Sequence, residues 1–144
     1  MSRPSKLLCA AAVLAAGLSG CTEVETEPST AYEPSKLSAV AGSDDLQRVT
    51  FTAEGARRTG LETASVGRRD GQAVVPYAAL IYDAEGKTYV YTSPKHRTYL
   101  REQVAVARVE GERVLLSRGP PAGTAVVTVG AAEVYGAELE VASK

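Results

Sequence analysis

Past its first twenty residues the chain sustains no 3.6-residue apolar period; it runs in short alternating stretches broken by glycine and proline. That punctuation restricts the fold to one built from strands. The best-formed stretch is Val75–Tyr91, VPYAALIYDAEGKTYVY, which alternates, turns on Asp83-Ala84-Glu85-Gly86 and returns as Lys87–Thr92. Around it, Gln47–Thr52, Leu61–Val66, Ala73–Val75, Leu80–Tyr82, Thr98–Val109, Arg113–Leu116 and Thr124–Val129 read as strands. Gly67–Gly71, Glu110-Gly111 and Gly119–Gly123 read as turns or breaks, and Ala53–Thr59 is long enough for a single helical turn. Pro76 separates two strands because proline has no N–H to give to a ladder. Short strands at this spacing predict an all-β fold: a small barrel or sandwich with at most one short helix, after a disordered N-terminal tether.

The front of the chain is an address. Arg3 and Lys6 precede an apolar run, Leu7–Ala16, that is shorter than the roughly 20 residues a membrane-spanning helix requires. Leu18-Ser19-Gly20-Cys21 then resembles the lipobox of bacterial lipoproteins. That resemblance implies cleavage before Cys21, a diacylglycerol thioether on its sulfur and acylation of the new N-terminus. Two or more acyl chains anchor stably, at about 0.8 kcal/mol per buried methylene. The expected partner is thus membrane lipid, and the expected location is the extracytoplasmic face of a cell membrane, periplasmic where a second membrane exists. Cys9 leaves with the leader and Cys21 is consumed, so the processed chain keeps no thiol for a disulfide or a metal.

Residues 1–20 therefore read as a signal peptide. From Thr22 to Asp45 six acidic residues face a lone Lys36 among Ser, Thr and Pro, so 21–45 reads as an acidic disordered linker. Its 24 residues after the cysteine would span about 25–30 Å as a flexible coil. Residues 46–144 form the folded domain, with 13 basic and 11 acidic residues well mixed. No basic patch is interleaved with aromatics, which excludes nucleic acid as an expected partner.

Catalytic chemistry finds little purchase. His96, the chain's one histidine, stands between Lys95 and Arg97 in a polar turn, where two cations oppose a metal ion and no acid orients the ring. There is no Gly-x-Ser-x-Gly elbow and no phosphate-binding glycine loop. Asp83 and Glu85 flank a turn that an aspartate stabilises through its own backbone bonds. Tyr82, Tyr89, Tyr91 and Tyr99 are expected to pack as cross-strand pairs or to line a recognition surface. No catalytic residue, metal ligand or cofactor is expected.

The order of the segments is similar to that of a known family. Val75–Tyr82 followed by Gly86–Tyr91, then Tyr99–Val106, Arg113–Gly119 and Ala122–Ala131, resembles the C-terminal part of periplasmic adaptor subunits, the membrane fusion proteins of resistance–nodulation–division efflux pumps. Upstream, Val49–Thr52 and Arg58–Ala64 resemble the strand with which many adaptors open, and many adaptors are lipoproteins. The resemblance covers Arg48 to about Ala132. It departs at Gly67–Gly71, where a full adaptor inserts its lipoyl-like domain, helical hairpin and much of its barrel. What remains resembles the membrane-proximal domain, which in adaptors faces the transporter, and channel bridging does not carry over.

The expectation is a non-catalytic, lipid-anchored accessory protein docking on a membrane transporter or envelope complex. The polar loops that hold Arg68, Arg69, Lys95, His96 and Arg97 are its candidate contact residues. The alternative is a ligand-binding lipoprotein whose small barrel holds a hydrophobic molecule or peptide.

Overall fold

The computed structural model describes residues 32–142. Cys21 and the first part of the acidic segment lie outside them. Eleven strands and two α-helices follow in order: β1 Ser35–Val40, β2 Ser43–Phe51, α1 Ala53–Thr59, β3 Glu62–Ser65, β4 Gly67–Arg69, β5 Gln72–Pro76, β6 Ile81–Tyr82, β7 Thr88–Lys95, β8 Thr98–Gln103, β9 Ala105–Glu110, β10 Arg113–Arg118, β11 Ala125–Val129 and α2 Ala131–Ala142. The larger sheet runs β1-β2-β8-β7-β11-β3, with β6 sharing a side of β7, and the smaller runs β4-β5-β10-β9. The sheets do not close into a barrel; the fold is a sandwich-like all-β arrangement.

The middle of the larger sheet is apolar on both faces, and that property sets the layers. Val90 and Tyr91 are neighbours on β7, point to opposite faces, and are both fully buried. Val126 and Val127 repeat the pattern on β11. Val90 and Val126 pack with Val75, Val114 and Leu116 of the smaller sheet. Tyr91 and Val127 pack instead with Val49, Phe51, Tyr99 and with Ala131 and Val134 of α2. A strand buried on both faces needs cover on both. The smaller sheet covers one side of the larger sheet and α2 the other.

At two of its crossings the chain changes sheet at a single buried residue. Between β3 and β4, Val66 is held by a hydrogen bond from its N–H to Thr124 O and one from the Gly123 N–H to its carbonyl, both 2.8 Å. Between β8 and β9, the Val104 N–H donates to Thr88 O at 2.9 Å. Both valines sit in the core between the sheets, so each crossing is fixed by burial as well as by its backbone bonds.

Three expectations need correction. The linker does not extend to residue 45, because β1 pairs antiparallel with β2 from Ser35↔Phe51 to Ala39↔Gln47. Leu37 stands opposite Val49 there and packs against the α2-side core, an alternation that the average composition of the segment hides. The described residues hold two α-helices, not at most one. Finally, Gly67–Arg69 is a strand, and the turn is only Asp70-Gly71, with both φ angles positive (50° and 80°). That is the two-residue hairpin geometry that Asp-Gly favours.

Candidate functional site

α1 begins at Thr52, whose hydroxyl accepts from the Gly55 N–H at 2.9 Å, and ends at Gly60 in the left-handed conformation (φ 62°). A side chain at position 55 would collide with Pro34 O, so glycine there lets the incoming chain lie against the helix. The Thr52 N–H bonds that same carbonyl at 2.9 Å, and the guanidinium of Arg58 covers the Tyr32 ring at 4.7 Å. The helix thus fixes the point where the chain enters the domain.

Its other side faces the β7–β8 turn. Lys95 pairs with Thr98, so the turn is His96-Arg97, with Arg97 at φ 57° and a bulge between Thr92 and Lys95 that accommodates Pro94. Between helix and turn lies a groove of about 620 Å³ lined by Ala56, Arg57, Leu61, Glu62, His96 and Arg97, among others. The Arg97 carbonyl accepts from Phe51 N–H at 2.9 Å, and its Nε is enclosed without a partner among the described residues. Lys95 and His96 are exposed.

Arg68 and Arg69 lie elsewhere, on β4 at the edge of the smaller sheet, and alternate across it. Arg69 Nη1 binds Glu110 Oε2 at 2.8 Å. By register Arg69 stands at the Gln72 end of β4, whereas Glu110 lies at the Arg113 end of β9, the diagonally opposite corner. The small sheet therefore coils until its corners meet through side chains, with Leu115 fully buried on that face. Arg68 points to the other face and lines a groove of about 380 Å³ between the β4–β5 hairpin and the loop after β10. It also borders a shallower concavity of about 320 Å³ with Val74, Pro76 and Arg113. The five candidate contact residues thus occupy two separate surfaces, and no groove described here contains both sets.

By register none of Tyr82, Tyr89, Tyr91 and Tyr99 stands opposite another of the four. Tyr91 stands opposite Arg101, and Tyr99 opposite Val49 and edge-on to Phe51, with ring centroids 5.9 Å apart. Tyr82 is half exposed. Asp83 does hold its turn, as Oδ1 accepts from the N–H groups of Glu85 (3.0 Å) and Lys87 (2.7 Å). Partial desolvation pushes the Asp83 carboxyl up, but those amides and the Tyr89 hydroxyl together hold it below its usual range.

A polar cluster unmarked in the sequence joins α2 to the sheet. The Tyr91 hydroxyl donates to Glu138 Oε2 at 2.5 Å, and Arg101 Nη2 lies 3.4 Å from Glu138 Oε1. The Arg101 guanidinium also stacks 4.9 Å from the Tyr89 ring centroid and 5.9 Å from that of Tyr135. Glu138 is 3% exposed. Burial first, and then the bond to Glu138, raise the Tyr91 phenol far above its ordinary value. Each polar group is turned toward another and away from solvent, which suits a structural tie. Elsewhere, burial pushes the Glu102 carboxyl up.

Among the described residues, no three His, Cys, Asp or Glu side chains come together in a way that would hold a metal ion. No described helix is long and apolar enough to cross a membrane. No family model, curated protein or solved structure matches the chain.

Proposed function

We propose that the protein is a lipid-anchored, extracytoplasmic accessory module that docks on a membrane transporter or another envelope protein and carries no catalysis of its own. The observation that carries this reading is the ordered run of adaptor-like segments from Val49 to Ala131, set behind a lipobox-like leader ending at Cys21. The surface supports it with two open grooves bordered by Arg57 and Arg97 on one side and by Arg68 on the other. A hydrophobic ligand inside a barrel fits less well, since Val75, Val90, Val114 and Val126 fill the space between the sheets and are fully buried.

Feeding cells radiolabelled palmitate tests the anchor. Label on the protein, abolished by Cys21→Ser together with release from sedimented membranes, is the expected outcome; an unlabelled wild-type protein contradicts it. In-cell photo-crosslinking from positions 72 and 96 tests docking. A membrane protein trapped from either position supports it, and none from both overturns it.

A further inference from the structure

The groove beside Arg68 has a charge that nothing in the described chain answers. Its two ionisable lining residues are Arg68 and Arg118, and no carboxylate lines it. Neither arginine takes part in an ion pair or side-chain hydrogen bond among the described residues. The nearest acid in sequence is turned away: Asp70 Oδ2 lies 3.9 Å from Arg69 and 3.8 Å from Arg108, on the opposite face of the sheet.

The walls are fixed before any ligand arrives. Register places Arg68 opposite Ala73, and Ala73 opposite Leu116, so the arginine stands over an apolar floor. The far wall is Gly119–Ala122, with Pro120 fully buried. A side chain at position 119 would come within 2.7 Å of Leu116 Cδ1, so glycine brings this loop tight against the strand. The loop is pinned by Gly123 N–H to Val66 O at 2.8 Å and by Thr124 N–H to Pro121 O at 3.1 Å. Guanidinium groups suit planar carboxylates, and a preformed site loses little freedom on binding.

We propose that this groove is a carboxylate clamp: Arg68 and Arg118 receive a glutamate or aspartate side chain from an extended segment of the docking partner, and Ala73, Pro121 and Ala122 receive its apolar neighbours. A recessed, apolar-floored groove favours a single inserted side chain over a flat membrane surface. The identity of the partner rests on the docking reading above; anion recognition does not.

The full chain, purified in a neutral detergent and labelled with ¹⁵N, is titrated with the capped peptide Gly-Leu-Glu-Leu-Gly and its glutamine counterpart. The amide resonances of Gly71 and Gly119 should shift saturably with the glutamate peptide and respond roughly tenfold more weakly to the glutamine one, since charge-assisted bonds are about twice as strong as neutral ones. Arg68→Gln with Arg118→Gln should abolish the shifts and leave the rest of the spectrum in place; Arg118→Lys, which keeps the charge, should bind more weakly. Equal response to both peptides, or a response surviving in the double variant, overturns the clamp. So does a response to inorganic phosphate and phosphatidylglycerol vesicles with none to the peptide, which would assign the groove to a lipid headgroup. If no membrane protein is trapped in cells while the peptide binds as expected, the docking proposal falls and the clamp stands.

Discussion

Glu138 ties α2 to the larger sheet through two polar contacts. It receives the Tyr91 hydroxyl and faces Arg101, both within a nearly closed environment. Truncating it leaves the buried Tyr91 phenol without its acceptor and takes away one of the groups that Arg101 faces, which costs about 3 kcal/mol. Glu138→Ala is therefore expected to lower the urea midpoint strongly, and Glu138→Gln, which still accepts from Tyr91, by about 1 kcal/mol. Equal losses would show that charge, and not acceptance, is what matters. Tyr91 and Tyr99 both have phenols raised by burial. A raised folded pKa means stability is intact below the unfolded value near 10 and is lost as pH rises above it. Urea midpoints should stay level to about pH 9.5 and fall beyond it, by up to about 1.4 kcal/mol per pH unit for each tyrosine held neutral. Tyr91→Phe should flatten that slope, and an unchanged slope would contradict the assignment. At this scale the role of Asp83 was legible, because an Asx turn is local. The tyrosine partners were not, since a phenol's partner depends on register and on a helix about fifty residues away.

Among the elements, β7, β8, β10 and β11 were legible from alternation, and the two least expected were the β1–β2 hairpin and α2. β1 hides because Ser35, Lys36 and Ser38 outnumber its two large apolar residues, Leu37 and Val40, and its stability comes from pairing with a strand read separately. α2 hides for a different reason. Its inward positions are Ala131, Val134 and Glu138, spaced for one helix face, but one is small and one is charged. Gly136 further weakens the helical signal. A helix that buries a carboxylate on purpose defeats an apolar-period search. Its packing is nevertheless required, since it covers Phe51, Tyr91 and Val127. Val134→Ala, at a fully buried position, should destabilise by about 2 kcal/mol in a urea melt, and Glu133→Ala, on the exposed face, by less than about 0.5. Similar effects from both would mean that α2 does not cover the sheet as described.

At the scale of the molecule, the sandwich was one of the two architectures that the strand spacing allowed. The barrel is excluded by the two open strand orders, which end at β1 and β3 in the larger sheet and at β4 and β9 in the smaller; the double-sided burial of β7 and β11 explains the helical layer. The candidate contact residues were found as exposed cations in loops. Their division between two grooves follows from the change of sheet at Val66, which no local motif marks. Arg118 went unnoticed because it gains meaning only when β10 brings it to the groove that Arg68 borders. The edges of the smaller sheet are guarded: β4 is three residues long, and β9 carries register shifts and Arg108. The proposed docking therefore falls to grooves and side chains, and not to strand addition. The most direct measurement is chemical crosslinking of the tagged protein in living cells, followed by mass spectrometry of what co-purifies from membranes, against a lipoprotein control. Enrichment of one polytopic membrane protein, reduced by Arg68→Gln with Arg118→Gln, is the predicted result. Recovery of no membrane protein above the control, with the processed chain monomeric and stable alone, would contradict the docking function.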